Sequence, residues 1–210
     1  MFDIHCHILF GVDDGSSDFA ESQAMLHAAR SVGIDHIVCT PHYRGRKVDR
    51  QRITENYQTL SAFAHKQGFK MALGFEVYWE ALADIGIEGA ADLCIEDTSL
   101  LLLEFSYGSL PANWQRIIFD LQGCGIRPII AHPERYRPIQ NNIDIALEMK
   151  NMGCLLQLSG DFADGGFLSS SKKTAIKLLE SDLIDYVASD AHSVEDYTSY
   201  KKALEIARKY

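Results

Sequence analysis

The stretch Phe2-Asp-Ile-His-Cys-His-Ile-Leu-Phe-Gly-Val-Asp-Asp-Gly15 decides how this chain is read. It begins as a run of strand length and carries His5 and His7 one residue apart. On an extended strand, residues i and i+2 point to the same face, so the two imidazoles converge on one point. Asp13 and Asp14 follow in a loop closed by Gly15. A neutral imidazole is a common metal ligand, and a nearby carboxylate adds charge for a divalent cation. Two histidines near a chain terminus mean little alone, so the rest of the sequence decides their role.

Working outward, apolar runs of strand length alternate with segments of helical period. Strands are expected over 1–4, 36–40, 70–78, 99–105, 127–131, 154–158 and 184–189. Between them, Met25, Ala28, Ala29 and Val32 form a helical stripe after the capping pattern Asp18-x-x-Glu21, with Gly33 as its stop. Further helices are expected over 49–67, from Pro111 to about Gln122, over 143–152 and 169–181, and after Ser193-x-x-Asp196. The segment 80–92 reads as short helix plus loop. Seven strands alternating with helices point to parallel βα units. Candidate ligands sit at the C-terminal ends of most strands, which favours a closed or distorted barrel over an open sheet. In a βα-barrel those ends form one mouth.

Five of the eight histidines, His5, His7, His42, His132 and His192, lie at or just past strand ends. His27, His36 and His65 fall elsewhere and read as surface or packing residues. Glu76 ends a strand in Gly-Phe-Glu-Val, and Glu104 ends the run Leu-Leu-Leu-Leu-Glu. A carboxylate closing an apolar core strand is unfavourable unless it is paired or metal-bound. Asp190 and His192 repeat the i, i+2 spacing of the opening stretch. Together these groups exceed the needs of one metal and suit two or three. Mixed imidazole and carboxylate donors suit manganese, iron or zinc rather than calcium.

Composition narrows the partners. The chain has 210 residues, 47% hydrophobic and 23% charged, with a formal charge of −9 and no long basic run, so nucleic acid is not an expected partner. No apolar stretch approaches the roughly 20 residues of a membrane span, and no signal peptide is visible. Cys6, Cys39, Cys94, Cys124 and Cys154 are scattered, form no Cys-x-x-Cys pair and read as reduced, cytoplasmic residues. None is followed by Arg six positions later, so the phosphate loop of cysteine-dependent tyrosine phosphatases is missing. The run Arg44, Arg46, Lys47, Arg50, Arg52 follows His42 and is expected near the mouth, either as a solvated helix start or as an attractor for an acidic phosphopeptide.

His5-Cys-His7, Asp14-Gly15, Thr40-Pro-His42, Gly74-x-Glu76, Leu103-Glu-Phe-Ser106, Ala131-His-Pro-Glu-Arg-Tyr136 and Ser189-Asp-Ala-His192 resemble the motifs of the polymerase-and-histidinol-phosphatase superfamily. Within it they most resemble the bacterial capsule and exopolysaccharide tyrosine phosphatases, over 1–191. The resemblance implies an α/β fold, a distorted seven-stranded (βα)7 barrel akin to a TIM barrel, formed by one domain over 1–210. It implies three divalent ions, manganese foremost with iron or zinc as alternatives. One would take His5, His7, Glu76 and Asp190. A second would take Glu76, Glu104 and His132, with Glu76 bridging. The third would take Asp14, His42 and His192, leaving Asp13 as a supporting or turn residue.

Arg135 is the expected phosphate clamp, because a guanidinium matches two phosphate oxygens at once; a salt bridge to Glu134 or another acid is the plainer alternative. His42 could assist catalysis besides ligating, and Arg44 and Arg46 are candidate substrate-binding residues. The implied activity is metal-dependent hydrolysis of phosphotyrosine in a protein, the tail of a bacterial tyrosine autokinase controlling polysaccharide export. Histidinol-phosphate phosphatase, or a silent metal-binding interaction module, are the alternatives, and an oligomer is compatible with either. After His192 the chain departs from the family pattern: Ser-Val-Glu-Asp-Tyr stands where members usually carry an Arg-containing loop and a longer C-terminal segment.

Overall fold

Residues 1–166 and 169–210 are described, from a computed structural model. The strands are β1 (Phe2–Cys6), β2 (His36–Cys39), β3 (His42–Tyr43), β4 (Lys70–Leu73), β5 (Glu76–Tyr78), β6 (Leu100–Glu104), β7 (Arg127–Ala131), β8 (Leu155–Ser159) and β9 (Tyr186–Ala188). The helices are α1 (Phe19–Ser31), α2 (Arg50–Lys66), α3 (Ala81–Gly89), α4 (Trp114–Gly123), α5 (Arg137–Asn141), α6 (Asp144–Asn151), α7 (Ser170–Glu180) and α8 (Asp196–Ala207). The fold is mixed α/β with parallel pairing throughout. One sheet runs β1-β2-β4, the other β3-β5-β6-β7-β8-β9. Among the described residues no helix is long and apolar enough to cross a membrane.

Among the described residues, nine shorter strands in two sheets stand where seven strands were expected. The stretches 36–40 and 70–78 each break in the middle. Pro41 has no N–H to give to a ladder, and Gly74-Phe75 separates β4 from β5. The strand lines still continue across the breaks, because Gly74 N donates to Cys39 O at 2.9 Å and Glu76 N to Pro41 O at 3.2 Å. Each line simply changes sheets there. Between β1 and the segment after β9 there is one bridge, Cys6 to Ala191, flanked by Asp190 N to His5 O and His7 N to Ala191 O, both 2.8 Å.

Capping explains the start of α1. Asp18 Oδ1 accepts from Glu21 N, an orphan donor of the first turn, at 2.9 Å, and Glu21 Oε2 reaches back to Ser17 N, just before the helix, at 2.7 Å. At α8 the N-cap Glu195 makes no side-chain cap bond, and Asp196 Oδ2 instead holds the preceding loop by accepting from Ser193 N at 2.8 Å. Helix α4 begins at Trp114 rather than at Pro111, whose carbonyl instead closes a turn with Trp114 N at 3.1 Å. Helix α5 is new: five residues with Pro138 in the first turn are too short for periodicity to reveal.

Two cores result. The larger lies between strands and helices. The smaller is lined by Leu102, Ile129, Ala131 and Leu155, with Ile4, Val38, Ala72 and Tyr186 packed against it. Its members come from both sheets. Strands covered on both faces explain why Leu101, Leu102 and Leu103 are all fully buried.

Strand β1 also carries an irregularity that matters for the site. Asp3 pairs with Ile37, but Cys6 pairs with Cys39, so three steps of β1 face two of β2. Such a bulge shifts the alternation of side chains. Ile4 packs on the inner core, and His5 and His7 follow into the space above it.

Candidate metal centre and active site

His5 and His7 meet as expected, Nε2 to Nε2 at 3.2 Å, and both are fully buried. Asp190, on the turn after β9, brings Oδ1 within 3.2 Å of His5 Nε2 and 3.5 Å of His7 Nε2. Glu76 at the start of β5 is the centre of the cluster. Its Oε1 lies 2.7 Å from His132 Nε2 and 3.6 Å from His5 Nε2. Its Oε2 lies 2.7 Å from His42 Nδ1 and 3.5 Å from His7 Nε2. His132 (φ 35°) and Asp190 (φ 52°) both hold left-handed backbones, a conformation that non-glycine residues adopt at a cost and that gathers at functional sites.

Three overlapping donor groups result, each with ligand atoms within 4.8 Å of one another: His5, His7, Asp190; His42, Glu76, Glu104; and His7, Asp14, His42, His192. They differ from the expected sets: Glu76 falls outside the group of His5, His7 and Asp190, and His132 belongs to none of the three. His7 stands with Asp14 as well as with His5. Glu104 groups with His42, while its Oε1 is 3.9 Å from His132 Nε2. His5 and Asp14 share no group.

Asp13 and Asp14 separate cleanly. Asp13 Oδ2 faces His7 Nδ1 at 2.8 Å and accepts from the His42 backbone N–H at 3.1 Å, so it holds the His7 imidazole from behind and fixes the main chain at His42. Asp14 is largely exposed and reaches His42 Nε2 at 3.2 Å and His192 Nε2 at 3.5 Å. Gly15 is required beside them: a Cβ there would sit 2.0 Å from His7 O.

The charge balance points to cations. Burial would raise Glu76 and Asp190, yet neighbouring imidazoles, with Arg135 at Asp190, hold both carboxyls well below the usual range. Burial and the Glu76 charge push Glu104 up to about 7. Burial opposes charge on His5, but Asp190 and Glu76 hold it above its ordinary value. Among the described residues, Glu104 Oε2 and His132 Nδ1 are buried without a hydrogen-bond partner. A buried carboxylate oxygen left in this state is unfavourable, and a divalent cation would answer it. The residues therefore fit a metal cluster.

Two supports escaped the sequence reading. Gln157 on β8 presents Oε1 to His5 Nδ1 at 2.9 Å, and its Nε2 donates to Leu158 O at 2.7 Å, which fixes the amide and hence the imidazole tautomer. A polar residue inside Leu-Leu-Gln-Leu was its only signal. Replacing Gln157 with leucine is expected to weaken metal binding about 10- to 100-fold, measured by metal titration, with little change in melting temperature. The second support is Asp3, whose buried carboxylate accepts from Ser189 N at 2.9 Å and Ser189 Oγ at 2.6 Å, pinning the turn that carries Asp190.

The arginines divide. Arg135 Nη2 forms ion pairs with Asp190 Oδ2 at 2.7 Å and Asp161 Oδ2 at 2.9 Å and donates to Ser159 Oγ at 2.9 Å, so its paired acids are these rather than Glu134. Its Nη1 reaches the Tyr107 hydroxyl at 3.3 Å. Arg44 Nη2 stands 3.3 Å from His42 Nε2. Arg46 instead donates to Asp84 O at 2.9 Å and joins none of these contacts. His27 and His65 are exposed, and His36 pairs with Asp35 at 2.8 Å.

Known proteins share this architecture. The chain is 33% identical over 216 residues to the putative tyrosine-protein phosphatase CapC of Staphylococcus aureus, covering 100% of this chain and 84% of the relative. It is 32% identical over 221 residues to the tyrosine-protein phosphatase CpsB of Streptococcus pneumoniae, covering 100% and 91%. It superimposes with a TM-score of 0.85, at 33% identity and covering 100% and 87%, on a chain from the crystal structures of YwqE from Bacillus subtilis and CpsB from Streptococcus pneumoniae, described as metal-dependent tyrosine phosphatases. A family model described as capsular polysaccharide synthesis, CpsB/CapC, matches residues 1–209, and the chain belongs to that family.

Proposed function

We propose that this chain is a metal-dependent phosphomonoesterase whose substrate is phosphotyrosine in a protein, the activity named for CapC and CpsB. The observation that carries this reading is the joining of buried histidines and carboxylates in three donor groups, with Arg44 and Arg135 beside them. Three ions are the proposed complement, one per group with His132 joining the group of Glu76, and manganese suits the mixed donors. His5, His7, Asp14, His42, Glu76, Glu104, His132, Asp190 and His192 would hold them.

Bound metal ions supply positive charge to phosphoryl oxygens and lower the pKa of water. The side chains do the rest. Asp13 and Gln157 fix which nitrogens of His7 and His5 face inward. Arg135 offers Nη1 to a phosphoryl oxygen while Nη2 stays tied to Asp190, and Arg44 closes the other side near His42. The departing phenolate has an ordinary pKa of about 10, a moderate leaving group that places small demand on a general acid.

The same reading takes the two sheets as one distorted barrel of seven strand lines forming a single domain. The inner core drawn from both sheets and the Cys6–Ala191 bridge support it. It takes the cytoplasm as the compartment, in keeping with the free cysteines, and the tyrosine-rich tail of a tyrosine autokinase as the physiological substrate. The test is hydrolysis of a phosphotyrosine peptide against histidinol phosphate, with manganese, iron, zinc or magnesium restored after chelation. The expected result is metal-dependent turnover favouring the peptide. Preference for histidinol phosphate, or no turnover with metal fully bound, would refute it.

A further inference from the structure

Beside the cluster lies a cavity of about 340 Å³, bounded by Arg44, Tyr78, Glu104, Tyr107 and Gly108 among others. Its volume is at the small end for ligand pockets. Glu104 belongs both to its wall and to the donor group with His42 and Glu76. Arg44 likewise lines the cavity and stands 3.3 Å from His42 Nε2. The cavity therefore begins where the donor cluster ends.

Its walls suit an aromatic ring. Tyr78 and Tyr107 offer π faces or edges, and Arg44 offers a guanidinium, which is attracted to a ring face. Tyr107 is held in place at several points. Its ring meets the His132 ring edge-on at a centroid distance of 5.4 Å. Its hydroxyl takes Arg135 Nη1 at 3.3 Å. Its carbonyl accepts from Arg137 N at 2.8 Å. Although 44% of its surface is exposed, it is anchored at three points by the segment 132–137.

The geometry points to this cavity as the seat of the ester's aromatic ring, with Tyr107 setting a preference for aryl over alkyl phosphates. The inference rests on the phosphatase reading above and adds the specificity device to it. A phosphoryl group held between Arg135 and Arg44 directs its ester oxygen over Glu104 into the cavity, where a phenyl ring contacts Tyr78 and Tyr107. The methylene of phosphoserine or phosphothreonine leaves that space unfilled and forfeits the contact. Gly108 borders the same space, and a Cβ added there meets nothing within 4 Å, so a bulky residue can occupy the cavity without disturbing the fold.

The experiment compares manganese-loaded wild type with Gly108→Trp, Tyr107→Ala and Tyr107→Phe. Calorimetry gives the affinities for phenylphosphonate and methylphosphonate, which removes leaving-group reactivity from the comparison. Hydrolysis of phenyl phosphate and O-phosphoserine is followed in parallel. Wild type is expected to favour the phenyl compound. Gly108→Trp and Tyr107→Ala should each lower the phenyl-to-methyl affinity ratio about tenfold, the size of an aromatic contact, while Tyr107→Phe keeps it. Equal binding of both phosphonates by wild type, or an unchanged ratio in Gly108→Trp and Tyr107→Ala, would overturn the cavity's role. Absence of all hydrolysis by metal-loaded wild type would instead remove the phosphatase reading, with the phosphonate ratios still deciding whether the cavity takes an aryl ring.

Discussion

Glu76→Ala is expected to strip the protein of at least one metal ion and to lower p-nitrophenyl phosphate hydrolysis by more than the ~100-fold typical of losing a supporting residue. Glu76 lies within 2.7 Å of His132 and His42 and within 3.6 Å of His5 and His7, so a single carboxylate faces four of the five clustered imidazoles. Glu104 reaches His42 and stands 3.9 Å from His132, and Asp190 faces His5 and His7, so neither carboxylate spans the four as Glu76 does. Metal content by mass spectrometry and turnover should fall together. A melting curve separates this from misfolding, since losing one partner of a buried charge network is itself destabilising, by about 3–5 kcal/mol for a broken buried pair. Glu76→Gln keeps the shape and removes the charge, so it should retain the fold and still lose metal. A Glu76→Ala protein with full metal content and full turnover would refute the assignment.

Arg135→Ala is expected to reduce kcat/KM about 10²- to 10³-fold, the usual effect of removing one donor to developing oxyanion charge. Arg135→Lys should recover only part of this, because an ammonium cannot reproduce the guanidinium fork. Arg135 has a second task, since its Nη2 carries Asp190 Oδ2 at 2.7 Å and ties Asp161 and Ser159 to the same point. The alanine variant thus also leaves the Asp190 carboxylate without its cation. Inhibition by inorganic phosphate separates the two tasks. A phosphate clamp predicts weaker phosphate inhibition at unchanged metal content, and unchanged inhibition would rule the clamp out.

What could be read in the sequence was the placement of most of the chemistry at strand ends. His5, His7, Glu104, His132, Asp190 and His192 converge because parallel strands bring their C-terminal ends to one side, whereas His42 and Glu76 open β3 and β5, where the strand lines pass from one sheet to the other. What could not be read depends on tertiary pairing. The bulge between Asp3 and Cys6 arises from the register of β1 on β2, and neither strand signals it alone. The break at Pro41 was visible as a residue, but its effect, a transfer of the strand line from one sheet to another, was not. Gln157 is one polar side chain in an apolar strand, meaningful only once His5 is found against it. Arg46 sits in the same basic run as Arg44, yet its bond to the Asp84 carbonyl follows from where α3 packs.

The seam between β1 and the turn after β9 has a consequence for how the protein is made. Asp3 and Ser189 hydrogen-bond across 186 residues of sequence, and His5 meets Asp190 over a similar span. Contacts so distant along a chain form slowly, because loop-closure entropy must be overcome first. On the ribosome, His5 and His7 emerge long before Asp190, and the donor group they share with it stays incomplete until that turn has been synthesised. A chain that stalls before Asp190 carries both histidines but lacks the turn that completes their donor group, so the assembled centre is a record that translation ran to that point.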